Sequence, residues 1–172
     1  MAERKIVTLP DPVLRRKARK VTVFDEELQT LIDDMVETMR VAPGVGLAAP
    51  QVNVSQRVIV VEFGDEEDES VPPKLYVVVN PEITRLSKEV VTGTEGCLSI
   101  PEIVGDVERP VGATIKGLNR HGQPVKIKAE GWLARIFQHE VDHVDGVLFV
   151  DRADRVWKME EEGEGEGVAP AD

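Results

Sequence analysis

Residues 132–144 read WLARIFQHEVDHV, and this stretch decides both the expected fold and the expected chemistry of the chain. Its apolar residues recur at the spacing of a helix, and Gly146 is placed to end that helix. The polar residues from 138 to 143 interrupt the apolar faces. The segment therefore predicts a helix from Trp132 to Val144 that is at least partly buried and carries a polar site.

Within this helix, His139, Glu140 and His143 form the pattern H-E-x-x-H. The four-residue spacing places both imidazoles on one face, where they can bind the same metal ion. Glu140 is offset around the helix and can reach a water beside that metal without being a ligand. A pair of surface histidines is the alternative, but two imidazoles and a carboxylate on a partly buried helix are costly without a partner. The pattern favours a metal site.

Two histidines do not complete a metal site, so a third ligand is needed. Metzincin proteases take a third histidine at the position that Phe149 occupies here, and thermolysin-like enzymes take a downstream glutamate, whereas the downstream acids here lie in a glycine-rich tail. Cys97 is the only cysteine and the strongest remaining candidate, because a thiolate and two imidazoles form a tetrahedral set with one open position. Taken alone, a cysteine is more often a buried packing residue. Gly96 and the residues after Cys97 predict an irregular stretch where backbone can approach a substrate.

The remaining patterns predict a small α+β domain. Asp25 is placed to cap an amphipathic helix that extends to about Met39. Strands are predicted at 58–63 and 75–80, near Val90, and in a hairpin formed by 114–119 and 125–129. We expect antiparallel β-sheets packed around a central helix that carries the HExxH motif, with an N-terminal amphipathic helix. One domain should span residues 1–158, followed by an acidic, glycine-rich and disordered tail at 159–172.

The formal net charge of −11 is concentrated in two segments. Residues 65–69 and 160–172 hold eleven acids and no base, and the rest of the chain has 21 acids and 21 bases. We therefore expect no nucleic-acid partner, which would require a basic surface. The longest apolar runs fall far short of the roughly 20 residues of a membrane span, so no membrane partner is expected either. A single cysteine excludes an intramolecular disulfide and favours the cytoplasm.

Three separated motifs carry a resemblance to a known enzyme family. Residues 44–51 read GVGLAAPQ, residues 95–99 read EGCLS, and residues 138–143 read QHEVDH. They match the GxGLAAxQ, EGCLS and QHExDH motifs of the peptide deformylases, in the family's order and at compatible separations. The chain resembles this family over about residues 5–155. Peptide deformylases are metallohydrolases that remove the N-formyl group from the first methionine of newly made polypeptides and release formate.

The resemblance implies a role for each matching residue. Cys97, His139 and His143 would be the metal ligands, and Glu140 would be the general acid and base. The side chain of Gln51 and the backbone N–H of Leu98 would donate to the formyl oxygen. The substrate channel would be lined by Gly46, Val45 and Gly96.

For two residues near these motifs the sequence leaves alternatives open. Arg109 either pairs with Glu95, as a comparable basic residue does in relatives, or forms a surface ion pair. Asp142 either orients a ligand or faces solvent, as helical acids usually do. His121 falls in the predicted hairpin turn and is expected to be exposed.

The resemblance also implies iron(II) as the metal in the cell, whereas zinc, nickel or cobalt would suit the same ligands in purified protein. The expected partners are N-formylmethionyl peptides on nascent chains, but the acidic tail does not support ribosome docking through the C terminus. Two alternatives remain at this point. One is an HExxH-type metalloendopeptidase, and the other is a noncatalytic module in which a fourth protein ligand closes the metal site.

Overall fold

A computed structural model describes residues 2–64 and 68–159. In chain order its helices and strands are α1 (Glu26–Val41), β1 (Gly46–Ala48), β2 (Val58–Phe63), β3 (Lys74–Leu86), β4 (Val90–Cys97), β5 (Ile100–Pro110), β6 (Gly112–Leu118), β7 (Pro124–Glu130), α2 (Gly131–Val144), α3 (Phe149–Arg152) and β8 (Arg155–Lys158). Five strands form one antiparallel sheet in the order β1-β2-β3-β6-β7, and three form a second in the order β4-β5-β8. The fold is α+β, as the sequence predicts.

Strand β2 explains why a helix packs on each face of the larger sheet. Its four valine and isoleucine residues are all fully buried, and alternate side chains of a strand point to opposite faces. Val58 and Val60 belong to the core that α1 covers, whereas Ile59 and Val61 belong to the core that α2 covers. The expected cap of α1 is present, since the Asp25 carboxylate accepts a hydrogen bond from the Leu28 N–H at 3.0 Å.

Helix α2 contacts both sheets, the smaller one through β5. A third apolar cluster joins β4 and β5 to α3 and to the 3₁₀ turn at Pro12–Arg15, and it includes Leu14, Cys97, Val107 and Phe149. Helix α2 ends where Gly146 adopts a φ of +78°. A Cβ at that position would lie 2.7 Å from the Arg15 carbonyl oxygen, so glycine lets the chain turn against the 3₁₀ segment.

The structure refines several sequence expectations. Gly96 and Cys97 are the last residues of β4, opposite Val104 and Ile100 of β5. The expected irregularity is present as a register shift between these two residues and as the turn at Leu98 and Ser99. The sequence predicts a strand near Val90, where β4 begins. Its extension to Cys97 is not apparent from the sequence, because the buried end of the strand is polar and glycine-containing and lacks a regular apolar alternation. Strand β5, strand β8 and helix α3 were not expected. The tail expected to be disordered is 159–172, and apart from Met159, whose N–H donates to the Glu102 carbonyl, it lies outside the described residues.

Candidate metal centre

Cys97, His139 and His143 come together although the cysteine and the first histidine are 42 positions apart in the sequence. Helix α2 supplies both imidazoles, whose ring centroids are 4.9 Å apart, and the end of β4 supplies the thiol. One candidate ligand atom from each residue lies within 4.8 Å of the others, and all three residues are buried. The three predicted ligands are therefore neighbours in the folded chain.

The spacing of the donors fits a metal ion. Cys97 Sγ lies 3.4 Å from His143 Nε2. In a tetrahedral site with metal–sulfur bonds of about 2.3 Å and metal–nitrogen bonds of about 2.1 Å, these atoms would be about 3.6 Å apart. A set of one sulfur and two imidazole nitrogens suits zinc, iron, cobalt and nickel. The residues present are thus able to hold a divalent transition metal.

Glu95 fixes the orientation of His139. Its Oε1 lies 2.9 Å from His139 Nδ1. Burial opposes ionisation of this carboxyl, but hydrogen bonds with His139 and Arg109 outweigh that effect and lower the Glu95 pKa to about 2. An ionised carboxylate only accepts, so Nδ1 carries the hydrogen. Nε2 is then the ring nitrogen left to bind a metal.

Arg109 forms a buried ion pair rather than a surface pair. Its guanidinium donates to both oxygens of Glu95, at 2.6 and 2.9 Å, and to Asp142 at 3.0 Å. Asp142 is also buried and does not face solvent. It accepts two hydrogen bonds from Arg152, at 2.7 and 2.9 Å. Burial opposes the charge on Arg109, but Glu95 and Asp142 outweigh that effect and raise the Arg109 pKa. A continuous chain of ion pairs therefore runs from His139 to the surface at Arg152.

Sequence reasoning missed Arg135, which also reaches Glu95. Its guanidinium donates to Glu95 Oε2 at 2.6 Å from a side chain that is 4% exposed. A signal was present in the sequence, since Arg135 precedes His139 by four residues and so shares its face of the helix. His121, in contrast, is exposed as expected.

Glu140 is completely buried and lies against the backbone of β1. A Cβ on Gly46 would be 2.6 Å from Glu140 Oε2 and 3.1 Å from its Cγ. Only glycine permits so close an approach between the carboxylate and the strand. The structure thus brings the predicted general base against the glycine predicted to line the substrate channel.

The other predicted site residues surround the cluster. Gln51 Nε2 lies 3.7 Å from Cys97 Sγ and 3.2 Å from the Ser99 hydroxyl, while its Oε1 accepts the Ala48 N–H. Leu98 follows Cys97 in the turn between β4 and β5. Val45 and Gly96 line a small cavity beside His139.

One protein-family model matches nearly the whole described chain. The family model for polypeptide deformylase matches residues 3–159. The chain belongs to this family. Its members are metal-dependent hydrolases that remove the N-formyl group from nascent polypeptides, and this activity, not that of an endopeptidase or a noncatalytic module, is the function of the chain.

Curated deformylases and solved deformylase structures agree with this assignment. A peptide deformylase of Natranaerobius thermophilus is 50% identical over 94% of this chain and 99% of its own length. One from Symbiobacterium thermophilum is 52% identical over 98% of this chain and 75% of its own length. The crystal structure of the Thermotoga maritima deformylase has a TM-score of 0.83 and 43% identity, and the match covers 90% of this chain and all of that one. An Acinetobacter baumannii deformylase bound to Met-Ala-Ser has a TM-score of 0.81 and 39% identity, covering 88% of this chain and 98% of that chain.

Within residues 2–64 and 68–159, no helix combines the length and the apolar character that a membrane crossing requires.

Proposed function

We propose that Cys97, His139 and His143 hold the metal of this deformylase and that Glu140 is its general acid and base. The observation that carries the proposal is the convergence of the three ligand atoms within 4.8 Å in a buried site. When bound, the metal lowers the pKa of a water and polarises the substrate carbonyl. We propose iron(II) in the cell, with zinc, nickel or cobalt able to occupy the same ligands in purified protein.

Glu140 moves the proton in this proposal. Its buried carboxylate takes a proton from the attacking water and later delivers it to the leaving amine, so that formate and a free amino terminus form. Gln51 Nε2 and the Leu98 N–H donate hydrogen bonds to the oxygen on which negative charge develops. Each well-placed donor of this kind lowers the activation free energy by about 3 kcal/mol. The proximity of Gln51 Nε2 to Cys97 Sγ supports that role.

The substrate peptide binds in extended form beside β1. Among the described strands, β1 stands at the edge of the larger sheet and pairs with β2 on one side only. A peptide can add to such an edge through backbone hydrogen bonds. Gly46 and Val45 then line its path, and Gly96 lies on the opposite wall. The Met-Ala-Ser peptide bound by the Acinetobacter enzyme supports formyl-methionine peptides as the substrate class here. We place the reaction in the cytoplasm, on chains as ribosomes make them.

An anaerobic assay of formate release from formyl-Met-Ala-Ser, with metal analysis of the same samples, tests these roles. Glu140→Gln should keep the metal and lose about 10²-fold to 10⁴-fold in kcat. Cys97→Ala and His139→Gln should lose the metal, whereas His121→Gln, a histidine variant at an exposed turn, should keep both metal and activity. Near-normal turnover by Glu140→Gln would remove the residue from the reaction. Full metal content in Cys97→Ala would remove the cysteine from the site.

A further inference from the structure

Glu95 is held by more donors than the orientation of one histidine requires. Its Oε1 contacts His139 Nδ1 and one Arg109 nitrogen, and its Oε2 accepts from Arg109 and from Arg135, both at 2.6 Å. The carboxylate is therefore contacted by two guanidinium groups and one imidazole. Arg109 is shared with Asp142, so Arg135 is the one guanidinium here whose only described ion-pair partner is Glu95.

The remaining bonds of Arg135 fix its position from both strands of the β4–β5 hairpin. One terminal nitrogen also donates to the Val107 carbonyl of β5 at 2.9 Å, and the other donates to the Val91 carbonyl of β4 at 2.8 Å. The guanidinium lies 5.2 Å from the ring centre of Trp132. An arginine fixed at this many points forms a rigid support for the carboxylate that it contacts.

Strand β4 provides a specific space for this guanidinium. A Cβ on Gly93 would lie 2.9 Å from Arg135 Cζ and 3.0 Å from its Nε. Gly93 therefore allows the flat face of the group to rest on the strand. This contact means that Arg135 can be displaced without being mutated.

Charge balance gives a reason for a second buried guanidinium. Two buried carboxylates, Glu95 and Asp142, face Arg109 within this network, and Arg152 is half exposed at the outer end. Arg135 adds the second buried positive charge. Breaking a buried ion pair leaves an uncompensated charge and is strongly destabilising, so Arg135 stabilises the ionised, buried Glu95.

We infer that Arg135 is a positioning residue of the metal site: by fixing Glu95, it holds His139 in the tautomer and ring orientation that present Nε2 to the metal. This inference rests on the proposed ligand set. Partners that orient a metal-binding histidine typically contribute 10-fold to 100-fold to metal affinity. Arg135 should therefore contribute to metal affinity without contacting metal or substrate.

The test measures zinc affinity of the metal-free protein by competition with a chromophoric chelator. Arg135→Met should raise the zinc Kd by about 10-fold or more, and Arg135→Lys should recover part of the loss. Arg152→Met is the matched control, because it removes a guanidinium from the same network without touching Glu95, and its Kd should stay within about two-fold of the wild type. Histidine ¹⁵N spectra of the metal-free protein should show the Nδ1–H form of His139 in the wild type and a mixture of tautomers in Arg135→Met.

Gly93→Ala keeps the experiment decisive where Arg135→Met does not fold, because it retains the arginine and only moves its guanidinium. A folded Gly93→Ala or Arg135→Lys protein with weakened zinc binding and altered His139 spectra supports the inference. Wild-type zinc affinity and an unchanged His139 tautomer in folded Arg135 and Gly93 variants would overturn it, leaving Arg135 a tie between α2 and the hairpin. Cys97→Ala separates this result from failure of the ligand set itself, since wild-type affinity in that variant would overturn the metal site.

Discussion

Gly46→Ala is the most direct probe of the contact between β1 and Glu140, the proposed general base. The added Cβ would lie 2.6 Å from Glu140 Oε2, about 0.8 Å closer than the 3.4 Å at which ordinary contacts begin. Glu140 Cγ and Cδ would also be within 3.1 Å, so rotation of the carboxylate alone does not relieve the overlap. Because Glu140 is completely buried, its neighbours leave little space for it to move into.

A displacement of this size predicts a large loss of rate. A catalytic group misplaced by about 1 Å can lose about 100-fold in rate, which corresponds to about 2.7 kcal/mol of transition-state stabilisation. The loss should appear in kcat, since the carboxylate moves, whereas a Cβ that merely obstructed the peptide would raise KM. Overpacking should also lower the free energy of unfolding by about 1–3 kcal/mol, so activity must be expressed per folded molecule.

The assay is formate release from formyl-Met-Ala-Ser under anaerobic conditions, with kcat and KM determined separately and metal content measured in parallel. Gly112→Ala, in β6, provides the control, because a Cβ on Gly112 would lie 3.6 Å from its nearest neighbour, Ser87 Cβ, which is an ordinary contact. It should retain wild-type kinetics. Near-normal kcat in Gly46→Ala would refute the reasoning, and so would a loss of activity that follows loss of the metal.

Two further predictions concern stability. Gly117→Ala should destabilise the larger sheet by about 1–3 kcal/mol in urea unfolding, because its Cβ would lie 2.6 Å from Val78 Cγ1 and 2.8 Å from the Val79 carbonyl oxygen; an unchanged midpoint would contradict this packing. Desolvation of Asp34 opposes ionisation, but hydrogen bonds from Arg4 and the Ala2 N–H outweigh it and lower the Asp34 pKa. Its ionised form therefore stabilises the fold above the unfolded pKa of about 3.9, and the contribution disappears as pH falls through the lower folded pKa. The difference in unfolding free energy between wild type and Asp34→Asn should be largest near neutral pH and shrink below about pH 4, and a pH-independent difference would contradict the assignment.

Several elements of the fold and one part of the site could be predicted from local periodicity. The two histidines share a face because a helix repeats every 3.6 residues, and that relation depends on residues 139 and 143 alone. The cap at Asp25, the hairpin at 114–129 and the exposed turn at His121 are likewise local properties. The family motifs added the roles of distant residues, but only as expectations.

Three features of the site required tertiary structure. Whether Arg109 and Asp142 were buried partners or surface charges depended on how β4 and β5 pack against α2, and the sequence left both possibilities open. Arg135 belongs with them, because its spacing from His139 places both on one face of α2 but does not show that Glu95 of β4 contacts both of them. The extension to Cys97 of the strand predicted near Val90 also required the structure, because that end of β4 has no regular apolar alternation.

The amino-acid sequence by itself determined which chemical groups this deformylase has and which of them lie together on one helix. The tertiary structure decided which groups from other segments reach that helix, and thus that a thiol meets two imidazoles and that Glu95 meets two guanidinium groups. The physical reason is that helical and strand periodicity depend on neighbours within a few residues, whereas burial and ion pairing depend on packing between elements tens of residues apart.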